Sequence, residues 1–475
     1  MSRQYETVIG LEVHVELSTE TKIFCGCPAR FGGDANAYTC PVCMGLPGAL
    51  PVLNKQVVEL ALRLGLATNC TITPVTSFDR KNYFYPDNPQ NYQISQLYLP
   101  IAREGYIDIW VEKQQKRIRI HEMHMEEDAG KLFHDDNENI SLVDYNRSGV
   151  PLVEIVSKPD MHSPKEVMAY LSELRLIIQY LNISDCKLQE GSMRVDVNLS
   201  VHEIGSKKLG NRTEMKNLNS FKAIRRAIEG EGKRQIEILG KGGKVKQETR
   251  RWDDDKGVSY SMRTKEETKD YRYFPEPDLP PVTIDEDWVR QVSMQQPELP
   301  QEKRRRYEQE FGLPPYDVAI LTETKQMAEL FERTSLLCHR PKQVSNWLMG
   351  EGLRLQKGEG KDTQISIRPE YLAKLIQLTE KKIINNLVAK EIFLLIATKD
   401  VDPEVYVSGH GLIAVKDEDT LKRVIEEVIE NNPKSVSDYR NGKEKAISFL
   451  IGQTMKVMQG KARPDIIHKI LKELL

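Results

Sequence analysis

Acidic and imidazole side chains alternate with apolar ones in IGLEVHVEL, residues 9 to 17, where Glu12, His14 and Glu16 stand between Leu11, Val13, Val15 and Leu17. Read as a β-strand, the segment puts two carboxylates and an imidazole on one face and an apolar row on the other. Residues on one strand face repeat about every 7 Å, so the two acids repel unless a positive group stands near them. Other segments carry similar chemistry. HMEEDAGK holds His124, Glu126, Glu127 and Asp128, and RVDVNLSV alternates Arg194, Asp196, Asn198 and Ser200 with Val195, Val197, Leu199 and Val201. TEMKNLNS adds Glu214, Lys216, Asn217 and Asn219, while PLVEIV contains one acid, Glu154, among Leu152, Val153, Ile155 and Val156. A lone buried acid is costly unless something compensates it. Clustered carboxylates are commonly compensated by Mg²⁺, which takes carboxylates, waters and substrate phosphates. A sheet face that binds Mg²⁺ and a nucleotide is therefore predicted, with a solvated sheet face as the competing reading.

Neither GxxxxGK[ST] nor GxGxxG occurs, so phosphates must be held by metal and by side chains rather than by a glycine-rich loop. The candidate cations are Arg80 and Lys81 in FDRKNYFYPDNPQNYQISQ, Arg147 in YNRSGVP, Arg194, Lys216, and Arg272 in YRYFPEPD. The first of these segments is dense in Asn, Tyr, Gln and Pro, loop chemistry suited to binding. No G-x-S-x-G, Cys–His nucleophile signature or amidase-like Gly-Ser-Ser run is present, so nothing points to glutamine hydrolysis.

Four of the seven cysteines are close in sequence: Cys25 and Cys27 in FCGCP, Cys40 and Cys43 in TCPVC. Two short knuckles on a loop can supply four thiolates to a tetrahedral zinc ion. Disulfides compete as a reading, but a reducing cytosol disfavours them. Four thiolates close the coordination shell, so the zinc would be structural. Cys70, Cys186 and Cys338 stand alone and read as buried core residues.

Several elements must position these groups. KRIRIHEMHM, PLVEIV and RVDVNLSV alternate as strands. HSPKEVMAYLSELRLIIQYL reads as a helix with Ser163 as N-cap, Pro164 at its first position and Glu166 completing a capping box. Irregular alternation of strands and helices predicts an α+β domain with a mainly antiparallel sheet over residues 1–292. PEPDLPPVTI closes that region, and helical patterns follow over 293–400, then a small helical tail over 401–475. Between Lys434 and Lys472 nine Lys or Arg face three Asp or Glu, a local basic surplus suited to RNA phosphates. Such a patch is needed because the chain's net charge is −2. At 475 residues, 39% hydrophobic and 29% charged, the composition is that of a globular protein. No run of membrane-spanning length and no signal pattern occurs, which points to the cytoplasm.

IGLEVHVEL, FDRKNYFYPDNPQNYQISQ, HMEEDAGK, VDYNRSGVPLVEIVSKPD, GSMRVDVNLS, TEMKNLNSF and DYRYFPEPDLPP, in this order, resemble the B-subunit family of the tRNA-dependent glutamyl/aspartyl amidotransferases. The resemblance covers essentially the whole chain. It implies a catalytic domain of the glutamine synthetase/guanido kinase type followed by a helical domain and tail. It also implies ATP-dependent phosphorylation of the side-chain carboxylate of Glu-tRNA(Gln) or Asp-tRNA(Asn), followed by amidation. The ammonia would come from a glutaminase A subunit, held to this chain by a small C subunit. Carried onto this sequence, the Mg²⁺ ligands implied are His14, Glu127 and Glu154, with Glu12, Glu126 and Asp196 lining the same site. Strand register decides which of Glu126, Glu127 and Asp128 serves. The readings that compete are a non-enzymatic tRNA-binding scaffold and a free-standing small-molecule ligase, the latter disfavoured by the basic tail.

Overall fold

The computed structural model describes residues 4–135, 139–206, 208–264, 271–355, 366–412, 418–458, 462 and 464–475. They form two compact units, Met1–Pro300 and Gln301–Leu475. The first therefore runs past residue 292. Helix Glu286–Met294 belongs to it and buries Val292 in its core.

Among its described residues the first unit contains sixteen strands. They are β1 (Tyr5–Glu16), β2 (Thr71–Ile72), β3 (Val75–Thr76), β4 (Asp79–Asn82), β5 (Tyr92–Ser95), β6 (Ala102–Val111), β7 (Gln114–Glu127) and β8 (Lys131–Asp135). The remainder are β9 (Ile140–Asp144), β10 (Pro151–Ser157), β11 (Met193–Glu203), β12 (Thr213–Lys216), β13 (Glu248–Asp253), β14 (Val258–Thr264), β15 (Phe274–Pro275) and β16 (Val282–Thr283). Nine make one sheet in the order β14-β13-β12-β11-β1-β10-β7-β6-β2. Every pairing in it is antiparallel except β12 with β13, matching the mainly antiparallel sheet predicted. The β6–β7 hairpin turns tightly on Glu112 and Lys113, both with positive φ, as a two-residue turn requires.

Alternation decides which face each side chain takes. Val13, Val15, Met123, Met125, Val153, Ile155, Val195 and Val197 point to one face and are buried. Helices α1 (Lys55–Ala67), α2 (Pro164–Tyr180) and α3 (Phe221–Gly240) add residues such as Leu62, Leu171, Leu174, Ile178 and Ile224 to that core. Each such side chain contributes about 1.5–3 kcal/mol on burial. Ser163 caps α2 as predicted, its hydroxyl accepting from the Glu166 amide. Glu166 instead accepts from the His162 amide and from Lys116, so the capping box closes one residue earlier than the motif implies. A smaller sheet, β15-β4-β5, packs with β5 against β7.

The second unit is helical among its described residues. Helices Lys325–Cys338, Pro369–Glu380 and Asn386–Thr398 share a core built around Phe331, Leu372, Ile376 and Phe393. Helix Pro403–Gly409, read from sequence with the tail, buries Val407 in that same core. A separate core, Leu421 to Leu471, joins the last four helices, Glu418–Asn431, Pro433–Arg440, Lys445–Val457 and Pro464–Leu474.

Candidate active site and metal centres

Register places the polar side chains of four adjacent strands in rows. Arg194 on β11 faces His14 on β1, His14 faces Glu154 on β10, and Glu154 faces His124 on β7. The row on one side runs Asp196, Glu12, Val156, Glu122, and on the other Glu16, Leu152, Glu126. Glu12, His14 and Glu16 thus share the face that Glu154 and Asp196 occupy, as their alternation predicts.

Two groups of possible metal ligands lie on this face, with ligand atoms within 4.8 Å of one another: His14, Glu126 and Glu154, and Glu12, Asp196 and Glu214. His14 Nε2 is 3.8 Å from Glu126 Oε1 and 3.7 Å from Glu154 Oε2. Burial, then Arg194, Lys216 and Lys81, hold the His14 pKa well below its usual value, so the ring is neutral with a lone pair to offer. Burial and the Glu126 charge push Glu154 up to about 7. A neutral imidazole beside two crowded carboxylates is a donor set that suits a divalent cation, whose octahedral ligands stand roughly 3–4 Å apart.

Glu127, expected in this set from sequence, lies elsewhere. It follows Glu126, so the strand turns it to the opposite face, where it accepts hydrogen bonds from the Ile94 amide and from Gln90. It lines a cavity of about 270 Å³ with Phe24, Cys25, Cys43, Tyr92 and Asp278. Burial pushes its carboxyl up to about 8. Glu126 takes the place expected of it.

Of the six cations expected around phosphates, three serve this face. Arg194 pairs with Asp128 at 2.9 Å beside His14. Lys216 bonds Asp196 and stands 2.9 Å from Glu214. Lys81 sits in β4 above Glu126 and Glu154; burial opposes its charge, but those acids outweigh it. Arg80 is taken up otherwise, donating to Glu276 at 2.6 and 2.9 Å and to Asp278 at 3.0 Å, over the Tyr92 ring. Arg147 stitches a turn, donating to the carbonyls of Ala129 and Gly130. Arg272 is exposed, in the left-handed region at φ 48°, and its carbonyl accepts from Asn82.

Sequence reading gave no role to His124, Tyr271 or Tyr273. His124 joins Glu122 at 3.0 Å and Glu154 at 3.7 Å, and the alternation Glu122, His124, Glu126 was its signal. Tyr271 and Tyr273 pack edge to face beside Lys81, a cation–π arrangement with no sequence signal beyond its aromatic spacing.

The four knuckle cysteines come together as their spacing predicts, one sulfur each within 4.8 Å of the rest. All seven cysteines are free, and Cys40 and Cys43 sulfurs stand 4.0 Å apart. Four thiolates around zinc sit about 3.8 Å apart, so the set fits that ion. A hydrogen bond from Cys25 outweighs burial and moves the Cys43 thiol down to about 5, with help from Lys22.

Fold and face together define an α+β domain that gathers acids, imidazoles and cations on one face of a mainly antiparallel sheet. The family model described as GatB/GatE catalytic domain matches residues 7–290, and the GatB domain matches 329–475. The chain belongs to the GatB family. It is 61% identical over 474 residues to a relative from Agathobacter rectalis, named as the B subunit of an aspartyl/glutamyl-tRNA(Asn/Gln) amidotransferase, covering all of both chains. Relatives of the same name from Lachnospira eligens and Lachnoclostridium phytofermentans are 60% and 58% identical, at full length and over 99% of each chain. No helix among the described residues is long and apolar enough to cross a membrane.

Proposed function

We propose that this chain is the carboxylate-activating subunit of a tRNA-dependent amidotransferase, a ligase that forms carbon–nitrogen bonds in protein biosynthesis. It phosphorylates the side-chain carboxylate of Glu-tRNA(Gln) or Asp-tRNA(Asn) with ATP and directs ammonia onto the product. The observation that carries this is the array of acids, imidazoles and cations on one face of the nine-stranded sheet, in a chain related throughout to proteins of that name. The sheet's polar front and helical back support the glutamine synthetase/guanido kinase type for this domain.

His14, Glu126 and Glu154 would hold Mg²⁺, which when bound neutralises phosphate charge and polarises the phosphoryl oxygens. Arg194, Lys81 and Lys216 bind anionic oxygens of nucleotide and acceptor, bringing two anions together where water would screen them less well. The acceptor carboxylate attacks the γ-phosphorus and ADP leaves; ammonia then attacks the acyl carbon and phosphate leaves. Glu12, held by the Asn198 amide at 2.8 Å, and Asp196, which burial keeps above the usual carboxylate range, are placed to take the proton ammonia sheds. Cys25, Cys27, Cys40 and Cys43 would hold zinc with no position left for substrate, a structural role. The basic helical tail binds the tRNA body, a glutaminase A subunit supplies ammonia, a small C subunit joins the two, and the complex works in the cytoplasm.

The test is to assemble the three subunits with Glu-tRNA(Gln), ATP, Mg²⁺ and glutamine, then measure ADP and Gln-tRNA. Both are expected to appear together; a scaffold that only holds tRNA yields neither when this chain is the activating component.

A further inference from the structure

Lys22 takes no part in the reaction proposed above, yet its side chain is fully buried. An ammonium has three N–H donors, and this one meets three acceptors: the carbonyls of Tyr38 at 2.8 Å and Tyr145 at 3.3 Å, and the sulfur of Cys43 at 3.5 Å. Two of these are neutral, and among the described residues no carboxylate pairs with it. A buried ammonium needs an anion beside it, and here sulfur alone can be one. Four neutral thiols would leave the charge uncompensated. Four thiolates on a divalent ion carry a net charge of minus two, which one lysine halves.

The same sulfur-bearing loop grips a second stretch of chain. Ser148 Oγ donates to the Cys43 carbonyl at 2.9 Å, while Lys22 holds the Tyr145 carbonyl from the other side of that turn. Between them lies Arg147, whose guanidinium is 3.5 Å from Asp128, and Asp128 is the partner of Arg194 on the polar face.

We propose that Lys22 is the counter-charge of the Cys25–Cys27–Cys40–Cys43 metal site and the clamp through which that site fixes the turn at 145–149. The inference rests on the zinc reading above. Lys22 is a positioning residue here, acting through sulfur and backbone without touching substrate.

The experiment compares the full chain with Lys22→Gln, which keeps hydrogen-bond donors but loses the charge, and Lys22→Arg, which keeps the charge. Zinc content and the rate of zinc loss to a chromophoric chelator are measured, together with the thiolate-to-cobalt absorption of the Co²⁺-loaded proteins. Neighbours that hold a ligand in this way are worth about 10–100-fold in metal affinity. Lys22→Gln is expected to bind Co²⁺ at least about tenfold more weakly than wild type, with Lys22→Arg between the two. Affinity within about twofold of wild type in Lys22→Gln overturns the proposal, as does equal loss in both variants. Should Lys22→Gln not fold, wild type stripped of zinc decides: amide exchange at 145–149 is expected to rise, and unchanged exchange overturns the clamp. A wild-type chain that takes up neither zinc nor tetrahedral cobalt refutes the zinc reading itself, a result separate from any effect of the variants.

Discussion

His14 and Glu154 face each other directly across the antiparallel strands β1 and β10, with His14 Nε2 3.7 Å from Glu154 Oε2. Burial and cationic neighbours strip the proton from one, while burial and Glu126 tend to keep it on the other. A divalent ion between them removes both tensions, because it prefers a neutral imidazole and ionised carboxylates.

Glu154→Gln removes a ligand charge while preserving shape. ADP release stimulated by Glu-tRNA is expected to fall by at least about a hundredfold, in line with losing an electrostatic stabiliser of the transition state. Folding and tRNA affinity stay near wild type. Unchanged Mg²⁺-dependent ATP cleavage would contradict the ligand assignment.

The two adjacent acids at the end of β7 separate cleanly. Glu126→Gln is expected to weaken Mn²⁺ or Mg²⁺ binding at least about tenfold, a loss of about 1.4 kcal/mol. Glu127→Gln keeps an oxygen to accept from Ile94 on the far side of the strand, so metal affinity holds. Calorimetric titration of each variant distinguishes them; the reverse pattern would restore Glu127 as the ligand.

Carboxyl groups raised in the folded state bind protons that the unfolded chain releases. Burial places Glu154 at about 7, and Glu16 and Glu127 at about 8, against an ordinary value of 4.5. Their contribution is therefore present in full below the ordinary carboxylate range and is lost as pH rises from there to about 8. In Mg²⁺-free buffer the urea midpoint of the first unit is expected to fall across that window. Mg²⁺ at a hundred times its Kd adds back about 2.7 kcal/mol, most effectively at the alkaline end where its ligands are ionised. A midpoint that Mg²⁺ leaves unmoved at the alkaline end would count against the site.

Because Val407 belongs to the preceding core, the tail is removed most cleanly from residue 413. That truncation is expected to weaken tRNA binding at least about tenfold and to flatten its dependence on salt, as loss of phosphate contacts requires. Glutaminase activity of the assembled complex is unaffected. Filter binding at several salt concentrations checks both points.

Sequence made the polar rows legible where alternation was strict. Glu12, His14 and Glu16, and likewise Arg194 and Asp196, fall where period two puts them. It could not separate Glu126 from Glu127, since consecutive residues point oppositely and only the pairing of β7 with β10 fixes the register. Arg80 looked like a phosphate binder because its partner, Glu276, lies almost two hundred residues away and meets it only through the β4–β15 pairing. Lys22 gave no signal, because a single lysine in STETKIF reads as surface until coordinates show what surrounds it. The meeting of the four cysteines was legible from their spacing, whereas spacing left disulfides as a competing arrangement that the free thiols do not adopt.

The strand at the middle of the catalytic sheet is β1, and both its neighbours, β10 and β11, come from beyond residue 150. During synthesis residues 5–16 must therefore wait, unpaired, until β10 at residues 151–157 has left the ribosome, and they are flanked on both sides only once β11 follows. Such distant pairing makes acquisition of the native state slow. It also means that the polar rows of the sheet cannot form until β11, which ends at Glu203, has been made.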